Sequence, residues 1–243
     1  MLKYQENARN RIKKSMTKTR NLVNGCVERN ASEADTRTVV KHIIDDMLGW
    51  CKFEDVTGEV NIRGGFADLV LRKDGNDLAV IEVKRAGMNL SEKQMRQARD
   101  YAINEGIEWV ILTNADNWRI NRVQFPRNQA PEVTEVFSVK LSDTNMSLND
   151  RVELLYLLSE EAFRKNELQD YCDRNLALSG HVLINHLLSE DVLNRLRIAI
   201  HRKSGHRVTN FEVAQALVSE VIEEAVLPAN VDTILRRIRR EAV

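Results

Sequence analysis

Cysteine, proline and aromatic residues are scarce in this chain: 3 Cys, 3 Pro and 5% Phe, Trp and Tyr among 243 residues. Net charge is absent too, since 36 Lys and Arg balance 36 Asp and Glu. Cys26, Cys51 and Cys172 are odd in number and far apart, which excludes a disulfide framework and any zinc-ligand spacing. Such thiols fit a reducing compartment. No apolar run approaches the roughly 18 to 20 residues that cross a bilayer. The opening MLKYQENARNRIKK lacks the apolar stretch of a secretory signal. The sequence therefore predicts a cytoplasmic protein without a membrane span. With 43% apolar and 30% charged residues, the composition is neither disordered nor fibrous. The length suffices for one large domain, or a medium one with an appendage.

Charge of one sign is lacking overall but not locally. Residues 1–30 carry Lys3, Arg9, Arg11, Lys13, Lys14, Lys18, Arg20 and Arg29 against Glu6 and Glu28. A second basic run holds Arg195, Arg197, Arg202, Lys203 and Arg207, and a third Arg236, Arg237, Arg239 and Arg240. Runs like these neutralise phosphates. A helix face that merely stays solvated has the same composition. Arg195, Arg202 and Lys203 are the tail's candidates for a nucleic-acid contact.

Periodicity predicts a polar, basic helix over 2–24, then a second helix capped by Ser32 with Glu33 and Asp35 in its first turn. Val39, Val40, Ile43, Ile44, Met47 and Leu48 recur at helical spacing until Gly49 ends it. Strands are expected at Glu59–Arg63, closed by Gly64-Gly65, at Phe66–Arg72 and at Leu78–Lys84, the last two joined by Lys73-Asp74-Gly75-Asn76. Ser91 with Gln94 opens a further helix to about Asn104. Strands at Trp109–Thr113, Trp118–Val123 and Val133–Leu141 follow. Beyond Ser147 the pattern is helical only, with candidates at Asn149–Lys165, Glu167–Ala177, Val182–Leu188, Asp191–Lys203, Asn210–Val226 and Val231–Ala242. The expected organisation is a basic N-terminal helix (1–30), a mixed α/β domain (31–145) and a helical C-terminal region (146–243).

The chemistry concentrates in Phe66-Ala67-Asp68-Leu69-Val70-Leu71 and Ile81-Glu82-Val83-Lys84. A carboxylate among Val, Ile and Leu on a strand is costly unless it is paired or metal-bound. Two on adjacent strands repel, and a hard divalent cation between them removes the repulsion. Lys84 leaves the same face as Glu82, where it can balance phosphate charge or orient water. Alone, a Glu-x-Lys triplet is a common surface ion pair. The preceding aspartate, the tight hairpin and the apolar lead-in to Glu82 make the combination more specific. Gln97 and Tyr101 share a face of the later helix, and Glu33 and Arg37 share one near the start of the earlier helix. A half-buried polar edge and a solvent ion pair explain these two pairs equally well.

Hairpin register decides whether the two carboxylates can meet. A two-residue turn at Asp74-Gly75 sets Asp68 opposite Ile81 and points the acids to opposite faces. A three-residue loop, or a compensating bulge, sets Asp68 opposite Glu82. The chemistry requires the latter register.

The segments Glu33-Ala-Asp-Thr-Arg37, Leu48-Gly-Trp50, Ala67-Asp-Leu-Val70, Ile81-Glu-Val-Lys84, Gln97-x-x-x-Tyr101 and Trp109-Val-Ile-Leu-Thr-Asn114 resemble the N-terminal nuclease domain of type I restriction enzyme R subunits over roughly 30–125. The resemblance implies a PD-(D/E)xK restriction-endonuclease-like core of αβββαβ order, a mixed sheet flanked by helices, with the helical region appended. It implies a Mg2+-dependent deoxyribonuclease, with Mn2+ able to substitute. Asp68 and Glu82 would be the metal ligands and Lys84 the catalytic lysine. Glu33 would be the helical acid near the metal, while Gln97 and Tyr101 would support the site and contact DNA. Ala67 stands where the pattern's proline would be. The chain has no G-x-x-x-x-G-K-[ST] phosphate loop, so no ATP-driven step is expected. The rival expectation is a non-catalytic nucleic-acid-binding or partner-recruiting subunit that keeps the fold. In either case the C-terminal helices are candidates for a homodimer or partner-subunit contact.

Overall fold

A computed structural model describes residues 2–62 and 65–241. The expected strand end at Arg63-Gly64 and the last helical residue, Ala242, lie outside the described residues. The chain divides into two compact units, 1–168 and 169–243.

The first unit opens with α1 (Lys3–Glu28), then α2 (Glu33–His42), which runs on as a π-helical turn over Ile43–Met47. Ser32 Oγ accepts from Asp35 N and fixes where α2 starts. The strands β1 (Val56–Ile62), β2 (Gly65–Lys73) and β3 (Asn76–Val83) precede α3 (Glu92–Glu105) and β4 (Trp109–Thr113). From α2 onward this is the order αβββαβ. β5 (Asn117–Gln124) and β6 (Glu132–Lys140) complete the sheet, whose spatial order follows the sequence, β1-β2-β3-β4-β5-β6. Neighbours are antiparallel except β3 and β4, which are parallel because α3 carries the chain back between them.

α3 buries Met95, Ala98, Tyr101 and Ala102 in one cluster with Val70, Val80, Val110, Leu112 and Val123 of the strands. Gln94 Oε1 caps Ser91 N at its start, and Gly106, with φ 71°, ends it. Burying such aliphatic side chains stabilises by about 1.5 to 3 kcal/mol each.

α1 is more than the polar helix read from the sequence. Ala8, Ile12, Met16, Thr19, Val23 and Cys26 recur at three- and four-residue spacing and are all buried. Much of its basic charge is met within the unit. Arg9 pairs with Glu153 and lies over the Tyr156 ring, Lys18 pairs with Asp46, and Arg11 forks onto Glu161. Arg11 also donates to the carbonyls of Met47 and Leu48. It lies so close to Gly49 (φ 83°) that a Cβ there would collide with its guanidinium.

α4 (Leu148–Tyr156) and α5 (Glu160–Arg164) also belong to this unit. Trp50 Nε1 donates to Leu158 O, and Phe163 stacks edge-on against Trp50 at 5.4 Å. The compact body therefore runs 23 residues past the expected border at 145 and includes the expected separate helix 1–30. The single helix expected over Asn149–Lys165 is interrupted because Ser159, fully buried, turns its hydroxyl to Ala162 N and starts a new helix.

The second unit holds most of α6 (Glu167–Ala177), then α7 (Gly180–Leu187), α8 (Glu190–Ser204), α9 (Asn210–Ala216) and α10 (Val231–Glu241). Its core gathers Ile184, Leu188, Leu193, Val213, Ala214 and Ile238. The helix expected over Asn210–Val226 breaks into α9, a π-helical turn at Leu217–Val221 and a short 3-10 turn at Glu224–Val226.

Candidate active site

The β2–β3 hairpin turns through Asp74 (φ 50°) and Gly75 (φ 80°), so Lys73 pairs with Asn76 across two residues. This is the tight left-handed turn that Asp-Gly favours. Uncorrected, it would set Asp68 against Ile81. The correction comes at once: Arg72 pairs with Asp77 but Leu71 pairs with Ala79, so Leu78 is an extra residue in β3. From there Val70 pairs with Val80 and Leu69 with Ile81. One step further the register places Asp68 across from Glu82. Alternation then puts Asp68, Val70, Val80 and Glu82 on a single face.

Asp68 and Glu82 are each only 3% exposed. Asp68 Oδ2 accepts from Val83 N at 2.8 Å, a side-chain bond where the β2–β3 ladder ends. Its Oδ1 lies 2.9 Å from Nη2 of Arg37. Glu82 Oε1 is 2.6 Å from Lys84 Nζ, and Glu33 Oε1 stands 3.6 Å from the same Nζ. Glu82 Oε2 is buried without a hydrogen-bond partner. Lys84 N donates to Thr113 O, and Ala86 N to Thr36 Oγ1, so the chain leaving β3 is tied to β4 and to α2. α2 thereby brings Glu33 and Arg37, one turn apart, onto Lys84 and Asp68.

The electrostatics follow from burial. Desolvation lifts the Glu82 carboxyl above its ordinary value; the Lys84 bond opposes this, and the charges of Asp68 and Glu33 add to it. Burial alone would lower the Lys84 ammonium. The bond to Glu82 and the negative charges of Glu82, Glu33 and Asp68 outweigh it and raise it instead.

The donor set fits one hard divalent cation. Two carboxylates share a face, and the unpartnered Glu82 Oε2 is an acceptor in want of a positive partner. Among the described residues there is no group of three or more His, Cys, Asp or Glu that could hold a metal. Two carboxylates with water completing the shell is a common arrangement for Mg2+.

The remaining sequence candidates are placed differently. Tyr101 is 1% exposed within the α3 cluster, and its hydroxyl has no hydrogen-bond partner. Its charged neighbours are Asp77, Glu105 and Arg72, at the turn end of the hairpin. Tyr101 makes no hydrogen bond to Asp68, Glu82 or Lys84. Gln97 is exposed on α3 and makes no hydrogen bond to Asp68, Glu82 or Lys84 among the described residues. Arg37, read from the sequence as a nucleic-acid contact, is tied to Asp68. Arg195, Arg202 and Lys203 are exposed on α8 in the second unit. Sequence reasoning missed the Val83 N–H as a partner of Asp68. A backbone donor carries no sequence signal.

Fold and site together define an α/β protein whose mixed sheet, flanked by helices, carries a buried acidic pair backed by a lysine. The family model for the type I restriction enzyme R protein N terminus matches residues 54–136. That span carries Asp68, Glu82, Lys84, Gln97 and Tyr101 and leaves out Glu33 and Arg37, and it is about a third of the chain. No curated protein and no solved structure matches. Among the described residues no helix is long and apolar enough to cross a membrane.

Proposed function

We propose that the first unit is a PD-(D/E)xK nuclease core, and that the chain hydrolyses DNA phosphodiester bonds with Mg2+, or Mn2+ in its place. The observation that carries this reading is the opposition of Asp68 and Glu82, both almost fully buried, with Lys84 on Glu82 and one Glu82 oxygen unpartnered. A structural role alone does not explain that oxygen, because burying an acceptor without a donor costs about 1 to 3 kcal/mol.

Asp68 and Glu82 would hold the cation, with Val83 N fixing the Asp68 carboxylate in place. When bound, a divalent cation supplies the positive charge that polarises a phosphate and a nearby water. Lys84, kept cationic by its acidic neighbours, would orient the attacking water and balance charge building on the phosphate. Glu33 would hold the Lys84 ammonium from the helix side. Exposed Arg195, Arg202 and Lys203 would contact the DNA backbone, and the C-terminal helices would serve a homodimer or partner-subunit contact. The three free thiols fit a cytoplasmic setting.

A second reading, a non-catalytic subunit that keeps the fold, draws on the ion pairs themselves. Arg37 and Lys84 already compensate much of the acidic charge. One experiment separates the two: incubation with linear, nicked, single-stranded and supercoiled DNA, with Mg2+, Mn2+ or EDTA. Cleavage that requires the cation and is lost in Glu82→Gln supports the nuclease. No cleavage of any form under any condition favours the second reading.

A further inference from the structure

The same site contains a contact that bears directly on cation binding by Asp68. Asp68 has both oxygens engaged, Oδ2 by Val83 N and Oδ1 by Arg37. We propose that Arg37 is a resident counter-cation that holds Asp68 when no divalent cation is present and yields the carboxylate when one arrives. This rests on the cation-site reading above and adds a role for α2 in controlling it.

Three acids, Glu33, Asp68 and Glu82, meet two bases, Arg37 and Lys84, through contacts of 2.6 to 3.6 Å. Lys84 contacts Glu82 and Glu33 and acts on Asp68 only through space, whereas Arg37 contacts Asp68 directly. A 3% exposed carboxylate without a positive partner would pay a large desolvation cost beside Glu82. A cation between Asp68 and Glu82 would supply that charge and make the guanidinium redundant. Both would draw on Asp68 Oδ1, whose partner is a side chain that can move, whereas the partner of Oδ2 is a backbone donor fixed at the end of β3. Arg37 is well suited to yielding. It reaches from a helix to a strand by a long, flexible side chain that is 18% exposed. Unlike Lys84, it is in direct contact with Asp68. The competition makes Arg37 a positioning residue. It keeps the acidic pair assembled at low cation concentration and sets the concentration at which the site loads.

The test uses the full chain with Arg37→Gln and Arg37→Lys, read by Mn2+ calorimetry and by thermal melting in EDTA and in Mn2+, without DNA. The expected result has three parts. Arg37→Gln binds Mn2+ on the order of tenfold more tightly than the natural chain. It melts lower in EDTA, and Mn2+ restores it by a larger shift than it gives the natural chain. Arg37→Lys, which offers a single point charge in place of a fork, falls between the two on both scales. That variant also carries the test if Arg37→Gln fails to fold. A merely structural arginine would lower melting equally with and without Mn2+ and would not tighten binding. If the natural chain binds Mn2+ and neither variant binds it more tightly, this inference alone is overturned. If the natural chain binds no Mn2+, the cation site fails and the inference with it.

Discussion

Asp68 faces Glu82 because Leu78, ten residues after Asp68, is one residue too many for the strand it sits in. The Asp74-Gly75 turn by itself sets a register that would separate the two carboxylates, and the bulge shifts it by one. Deleting Leu78 removes the extra residue, so a regular two-residue hairpin then keeps Leu71 opposite Ala79 and Asp68 opposite Glu82. Mn2+ binding and DNA cleavage should therefore persist in the deletion, with far-UV circular dichroism retained. The turn itself is separable. Gly75 has φ 80° and nothing within 4 Å of an added Cβ, so Gly75→Ala should cost about 1 kcal/mol in urea denaturation, through backbone strain alone. Loss of Mn2+ binding in a folded Leu78 deletion would refute the register account.

Lys84 and Glu82 should behave as a coupled pair. Lys84→Met leaves a buried carboxylate without its ammonium partner and should destabilise the chain in EDTA by about 3 kcal/mol. Adding Glu82→Gln should recover most of that loss, since a neutral amide needs no counter-charge. A double-mutant cycle by urea denaturation gives the coupling. Additive losses would mean that the 2.6 Å contact carries little energy. Both single variants should lose cleavage by at least about 100-fold.

Asp68, Glu82 and Lys84 were legible in the sequence because a charge inside an apolar strand stands out against its neighbours. The Asp-Gly turn was legible for the same kind of local reason. Leu78 was not, since an extra apolar residue in a strand looks like any other. Arg37 is expected from the sequence as a nucleic-acid contact; its partner Asp68 lies 31 positions away, and nothing local favours that contact over solvent or phosphate. The shared face of Gln97 and Tyr101 follows from helical spacing. Spacing does not say what that face covers, and Tyr101 is buried in the cluster under α3. The interruptions at Leu157–Ser159 and Leu217–Val221 escaped because apolar periodicity continues on both sides of them.

The raised carboxyl of Glu82 gives a signed pH dependence. Between its ordinary value, 4.5, and its raised one, the folded chain keeps a proton that the unfolded chain has released. Stability in EDTA should therefore fall as pH rises through that window, and Glu82→Gln should remove the fall. The Lys84 contribution has the opposite placement: it is fully present below 10.5 and is lost only as pH climbs through its raised value. A cation binds the ionised carboxylate in competition with the proton. The acid limb of cleavage should thus lie above 4.5 at low Mg2+ and move to lower pH as Mg2+ is increased. A limb indifferent to Mg2+ would place the titrating group elsewhere.

The second unit makes a separate prediction. Charge reversal at Arg195, Arg202 and Lys203, all exposed on α8, should weaken DNA binding and reduce the salt slope by about one per lost phosphate contact. An unchanged slope would identify α8 as a solvated face or a protein contact.

The central claim is that Asp68 and Glu82 share one divalent cation, and counting that ion tests it most directly. Titration calorimetry with Mn2+ should give one site per natural chain, and no such site in Asp68→Asn or Glu82→Gln. Asparagine keeps an acceptor for Val83 N, so the fold should survive the first substitution. Undiminished Mn2+ binding in both variants would contradict the account.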